Sequence, residues 1–268
     1  MNKTVIVAPA IKTKFWKSVY KDFCRSKVPF HMVFVGHVKP DFTLPDNFTH
    51  IYCELSAAEC AEIAYRYAYK HINDAKYIIN IADDVRFPEY FLDKLIDFYN
   101  QKIEEHNNDF LLVSPMANGY YDEENLMAFY NGGPVLLGNM LTTIENSKKI
   151  GGIDKRFKAI YWDCDRHLRA HMTGANVIFA SADELPPAKE IEYINAGGLW
   201  KTFSSVDMGL LKDLWEVTPG GDKEIFCSHL ANHGAGRPTN MLIKNNLTLT
   251  RGSDVEEYDE LYLGKYYE

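Results

Sequence analysis

The sequence is short of the features that mark several large protein classes, and each shortage removes one of them. Among 268 residues there are five cysteines, at positions 24, 53, 60, 164 and 227, with no CxxC spacing. That excludes a disulfide scaffold and a zinc ribbon, and predicts reduced, mostly buried thiols in a cytoplasmic protein. The Asn-x-Ser/Thr matches at Asn2, Asn47 and Asn246 then carry no glycan. No apolar run approaches the ~18 residues of a membrane span. The opening "MNKTVIVAPA" is too briefly apolar for a signal peptide and predicts a first strand instead. There is no GxxxxGK[ST] phosphate loop, no internal repeat and no low-complexity linker. Positive charge is also in deficit, with 29 Lys and Arg against 37 Asp and Glu, a net charge of −8. A general nucleic-acid footprint is therefore absent, although a local basic groove needs only a few residues.

What the chain does have is apolar and aromatic residues, 46% and 13% of the total, enough for a substantial core. "TVIVAPA" (4–10) and "HMVFVGH" (31–37) predict β-strands, stopped by Pro9 and Gly36. Between them Phe15, Val19 and Phe23 fall at helical spacing. "THIYCEL" predicts a third strand, and the helix after it opens with Ser56 as N-cap and Glu59 completing a capping box. "KYIINIA" predicts a buried strand, and "PEYFLDKLIDFYNQKI" a helix with Pro88 near its first turn and Phe91, Leu92, Leu95 and Phe98 on one face. "DFLLVSPMA" is a further strand. This alternation predicts an α/β protein, a mostly parallel central sheet with helices on both faces, arranged like a Rossmann half. Later, a helix closed by Gly151-Gly152, a helix in "WDCDRHLRAHM", a strand in "ANVIFA" and a helix near 204–216 are expected. Residues 1–182 read as the core, and 183–268 as an irregular extension of the same domain.

Two acidic clusters carry the chemistry. Asp83 and Asp84 end the strand "YIINIA", where ligands of open parallel sheets bind. Adjacent carboxylates there suit Mg²⁺ or Mn²⁺ with substrate phosphates, or else form the turn and N-cap of the following helix. Asp163 and Asp165 stand two apart in "YWDCDRHLR". They point the same way if that segment is extended and diverge if it is helical.

The two clusters resemble the motifs of GT-A fold nucleotide-sugar glycosyltransferases, especially the inverting family 2. "IINIADDVRFPEYFLDKLIDF" is similar to the metal-aspartate segment, and "IGGIDKRFKAIYWDCDRHLRAHMTGANVIFA" to the later motif with its glycine turn, acidic pair and helical Arg. The resemblance covers roughly residues 3–180. It implies a metal-dependent transfer of a sugar from a UDP-, GDP- or dTDP-linked donor to an acceptor hydroxyl, with inversion. Asp84 matches the last metal-binding aspartate and Asp83 the middle position. Ala82 stands at the first, so a strict DxD motif is absent. Asp163 matches the general base, with Asp165 as rival because Trp162 stands where the family often has Glu.

The resemblance implies further contacts. Ala8 and Pro9 would approach the nucleotide with backbone atoms, and Arg66 would help to hold it. Gly132 and Gly133, in "YNGGPVLLGN", would lie beside the donor sugar. His233, or His229 in the same "CSHLANHGAG", would complete the metal site. The end of the chain, "DELYLGKYYE", resembles the tails of some phage-encoded glycosyltransferases, which implies a bacterial or phage-infected cell and admits a modified DNA base as acceptor. A glycan is the default acceptor, a protein another, and the tail reads as an arm packing on its own domain or on a second copy in a homo-oligomer. Two alternatives stand beside this reading. A sugar nucleotidyltransferase would carry a glycine-rich loop after the first strand, which "APAIKTKFW" lacks. A non-catalytic nucleotide-sugar-binding or carbohydrate-binding protein would account for Ala82 and Trp162.

Overall fold

A computed structural model describes residues 3–115, 120–122, 127–130, 133–135, 140–172, 174–180, 183–186, 189–190 and 199–215. Its centre is a seven-stranded sheet. Four strands run parallel side by side: β3 (Phe48–Tyr52), β2 (Phe30–Gly36), β1 (Lys3–Pro9) and β4 (Ala75–Asn80). Beyond β4 the order continues through β10 (Leu141–Thr143), β6 (Leu111–Pro115) and β11 (Asn176–Ala180). Only β10 is antiparallel to its neighbours. Two small additions flank the sheet. A ladder joins β5 (Val85–Arg86) to β12 (Lys189–Glu190), and an antiparallel trio is made of β7 (Tyr120–Asp122), β8 (Met127–Tyr130) and β9 (Gly133–Val135).

The strands alternate side chains between two cores, as their period of two requires. Val5, Val7, Val33, Val35 and Ile78 face the helices α2 (Ala57–His71), α5 (Trp162–Met172) and α6 (Leu199–Trp215). Ile6, Ala8, Met32, Phe34 and Ile79 face α1 (Thr13–Phe23) and α3 (Phe91–His106) on the other side. Helices thus cover both faces, the α/β arrangement expected from the sequence. A short α4 (Ile144–Ile150) follows β10 and ends at Gly151. The capping box of α2 forms as expected: Ser56 Oγ accepts from the Glu59 amide, and the Glu59 carboxylate accepts from the Ser56 amide.

Three expectations are adjusted. α1 buries Trp16 with Val19 and Phe23, while Phe15 is only partly covered. α3 begins after Tyr90, whose φ of 57° breaks the helix, so Pro88 lies ahead of the first turn rather than in it. Asp83 and Asp84 are therefore not the cap of α3. α6 starts at Leu199, ahead of the expected 204. Among the described residues no helix is long and apolar enough to cross a membrane.

Candidate active site

The chain order reverses between β1 and β4, which are adjacent and parallel, and this is where an open α/β sheet forms a crevice at its carboxyl edge. Two clefts open there. One, of about 600 Å³, lies over the ends of β1 to β3, with Pro9, Gly36, Ser56, Cys60, Lys158 and Phe203 in its walls. Glycine is needed at position 36, because a Cβ there would stand 1.9 Å from the Ala10 carbonyl oxygen. The second, of about 340 Å³, shares Pro9 and is lined by Asn80, Ala82, Asp83, Tyr161, Trp162 and Asp163. Residues about 80 positions apart in sequence therefore meet across one cleft.

Asp83 is held tightly. Its Oδ2 accepts from the backbone amides of Ile11 (2.8 Å) and Lys12 (2.6 Å) and from Trp16 Nε1 (3.0 Å). The carboxylate thereby ties the end of β4 to the start of α1, with Oδ1 as its second acceptor. Burial pushes the Asp83 carboxyl up from its ordinary value, against these hydrogen bonds, and the neighbouring Asp84 charge adds to the rise. On the far side of the turn Asp22, 1% exposed, fixes Arg86 through two hydrogen bonds of 2.6 and 2.7 Å and the Phe87 amide at 3.0 Å. The aspartate turn is clamped from both ends.

Asp84 is placed differently: it lines neither cleft and forms an ion pair with the Lys12 ammonium. Among the described residues, the Lys12 ammonium is the cation that pairs with this carboxylate. Among the described residues no group of three His, Cys, Asp or Glu converges as a metal cage. The donor set nevertheless fits a hard divalent ion, since Mg²⁺ and Mn²⁺ sites often take one or two carboxylates and fill the rest with phosphate and water. His229 and His233 lie outside the described residues, as does Gly132. Gly133 opens β9 in the small antiparallel sheet.

In α5 the helical alternative holds, so the two acids diverge. Asp163, in the first turn, lines the cleft. It accepts from the Cys164 amide at 2.9 Å, yet burial dominates and raises its carboxyl to about 6. Asp165 is 0% exposed and accepts from Arg169 Nε at 3.2 Å, while Arg169 also donates to the Ile150 carbonyl at 2.8 Å. A carboxylate enclosed in that pair cannot reach a substrate, which corrects the expectation of Asp165 as rival base. Arg66 is corrected too. It is buried against Glu62 at 2.6 Å and lines neither cleft. Glu62 also accepts from the Ile153 amide at 2.7 Å, and a Cβ at Gly152 would come within 2.7 Å of it, so "GG" at 151–152 lets this chain pass over the ion pair. Ala8 is fully buried in the sheet, whereas Pro9, one residue on, borders both clefts.

Sequence reasoning missed Asn80, on the floor of the cleft. Arg166 Nη1 donates to the Tyr65 hydroxyl at 2.9 Å, so the hydroxyl hydrogen goes to Asn80 Oδ1 at 3.3 Å. That bond fixes the amide and leaves its N–H groups as donors. Lys12 and Lys158 were missed as well, and only their proximity to predicted strand or motif ends hinted at them.

No protein-family model matches the chain, and no curated protein sequence matches it significantly. Solved structures match at the level of chain path. TarS of S. aureus aligns with 68% of this chain at 15% identity and a TM-score of 0.48, and this chain spans 35% of that protein's length. TarS 1–349 aligns with 100% of this chain and 93% of its own, at 13% identity and 0.48. A mutant Drosophila β1,4-galactosyltransferase 7 in complex with manganese, UDP-Gal and xylobiose aligns with 72% of this chain and 71% of its own, at 13% identity and 0.45. At these identities and scores none of the three transfers a role to a residue.

Proposed function

We propose that the protein is an inverting glycosyltransferase that moves a sugar from a nucleotide-diphosphate donor to an acceptor hydroxyl. The observation that carries this reading is the meeting of Asp83 and Asp163, one from each acidic motif, across a single cleft beside a larger one at the switch point of the sheet. The larger cleft takes the nucleotide, with Pro9 and Gly36 allowing close backbone approach and Lys158 near the diphosphate. The smaller cleft takes the sugar, where the Asn80 amide donates to a sugar hydroxyl.

Asp163 acts as general base. It accepts the proton of the acceptor hydroxyl as that oxygen attacks the anomeric carbon, and the nucleoside diphosphate leaves from the opposite face. A carboxyl raised to about 6 is ionised at neutral pH and basic enough for a proton that moves late. Asp84, with Oδ1 of Asp83, would hold Mn²⁺ or Mg²⁺, and Lys12 would yield Asp84 as the donor binds. The ion, when bound, neutralises charge on the diphosphate leaving group. Asp83 keeps the turn in place while this exchange occurs. Residues 183–268 would carry the acceptor side, a glycan in the first instance.

The test is calorimetric titration of UDP, GDP and dTDP and their sugars, with and without Mn²⁺, on the wild type and on Asp84→Ala. One nucleotide binding with dependence on both the ion and Asp84 is expected. Binding by none of them overturns the reading, and binding with no release of nucleotide from any donor reduces the protein to a nucleotide-sugar-binding module.

A further inference from the structure

A single strap of chain, residues 158–163, forms a wall of both clefts. Lys158 lines the larger one, and Ala159, Ile160, Tyr161, Trp162 and Asp163 line the smaller. The strap has little regular structure of its own before α5 begins, and Tyr161 sits at a left-handed φ of 63°. Its shape has to come from contacts elsewhere. One is with α2, whose Ala57 amide donates to the Lys158 carbonyl at 2.9 Å. A second is with Asp207, in the middle of α6 and more than 40 residues on in sequence. Asp207 Oδ1 accepts from the Lys158 amide at 3.0 Å, and Oδ2 accepts from the amides of Ala159 at 2.8 Å and Ile160 at 3.0 Å.

Asp207 is 0% exposed, and the face that carries it is otherwise apolar: Leu211 is fully buried, Leu210 packs on the same core, and Phe203 borders the larger cleft. Positions 203, 207, 210 and 211 share one side of a helix. Val206, on the flank of that face, is 59% exposed, and Gly209, farther round the helix, has open space around it. A buried carboxylate on such a face costs stability unless its oxygens are satisfied. Three successive amides satisfy it here, an arrangement of backbone N–H groups that binds anions wherever it occurs. Asp207 is the anion, supplied by the chain itself.

We infer that Asp207 is a positioning residue of the active site: its carboxylate sets the strap so that Asp163 meets the reacting hydroxyl. The inference rests on the glycosyltransferase reading. It makes α6, from outside both acidic motifs, a working part of the site. Lys158 reaches the donor on a long exposed side chain and tolerates a small shift of the strap, whereas Asp163, on the short rigid first turn of α5, does not. Misplacing a reacting group by about 1 Å costs turnover about 10²-fold.

The experiment compares wild type, Asp207→Asn and Asp207→Glu for release of nucleoside diphosphate from the donor identified above. Thermal melts and amide hydrogen exchange are followed on the same samples. Asn matches Asp in shape but replaces one accepting oxygen with a donor that opposes the strap amides, and Glu keeps both oxygens. Expected for folded Asp207→Asn are a turnover about 10²-fold lower, a donor KM within about threefold of wild type, and exchange at Lys158, Ala159 and Ile160 faster by about tenfold or more while β1 and β4 stay protected. Asp207→Glu recovers most of the rate. Equal losses in turnover and donor affinity, or wild-type exchange at the three amides in Asp207→Asn, overturn the inference. Absence of donor turnover in the wild type fails the glycosyltransferase reading instead, and the exchange data still decide whether Asp207 holds the strap.

Discussion

The two acidic pairs are built alike and differ in one respect that separates chemistry from architecture. In each, the first member lines the cleft, Asp83 at the end of β4 and Asp163 at the start of α5, and the second is ion-paired, Asp84 to Lys12 and Asp165 to Arg169. The difference is burial of the basic partner. The Lys12 side chain is 28% exposed, on a flexible stem a competing cation can displace, whereas Arg169 is 1% exposed and also held to the Ile150 carbonyl. One second member is therefore exchangeable and the other permanent. The first members share a carboxyl raised by burial and differ in what they tie together. Asp83 Oδ2 accepts from two backbone amides of the segment before α1 and from the Trp16 indole, whereas Asp163 accepts from the amide of its own neighbour Cys164. Adjacent acids in a sequence are thus not a unit, and the partner of each decides its use.

That contrast can be broken from the most costly side first. Asp165→Asn leaves Arg169 buried without its counter-charge and is expected to lose about 3–5 kcal/mol of stability, measured by denaturant unfolding. Its residual activity should follow the folded fraction alone. Asp83→Ala strips an acceptor from two amides and the Trp16 indole, at about 1–3 kcal/mol for each buried donor left unsatisfied, with the turn between β4 and β5 loosened. The Asp163 carboxyl sharpens the contrast through pH. Its folded value of about 6 lies above the ordinary 3.8, so the folded state holds the proton more tightly. The resulting stabilisation is full below about pH 4 and is lost as pH rises through 6, the reverse of a paired carboxylate. Asp163→Asn should remove that slope from the stability profile. In the wild type, turnover should rise with pH through the same interval as the base ionises. The smallest effect is expected for Lys12→Met: stability within about 1 kcal/mol of wild type, and Mn²⁺ bound more tightly in calorimetry because Asp84 no longer pairs with an ammonium.

Much of the frame could be read from the residues, because it rests on local patterns. Alternating apolar runs located β1, β2 and β4, and Ser56 with Glu59 marked the start of α2. The start of α3 was misread because proline is a common first-turn residue and nothing local shows that Tyr90 takes a left-handed backbone. The antiparallel β10 has only three residues, too few to show a period. At the site, residue types were legible and orientations were not. Whether Asp163 and Asp165 point together depends on whether the helix expected in "WDCDRHLRAHM" already includes both, and residue types alone do not fix where its first turn begins. Arg66 reads as a ligand-binding side chain until Glu62, one turn earlier, takes it into the core. Lys12, Asn80 and Asp207 gain their roles from partners 15 to 72 positions away, and no spacing rule reaches that far.

The measurement that tests the division of labour most directly is nucleoside-diphosphate release by Asp163→Asn at saturating donor, with donor affinity taken from the same preparation. The account predicts a rate about 10²–10⁴-fold below wild type with affinity unchanged. A rate within tenfold of wild type in a folded variant, or a loss that appears only in affinity, would contradict it.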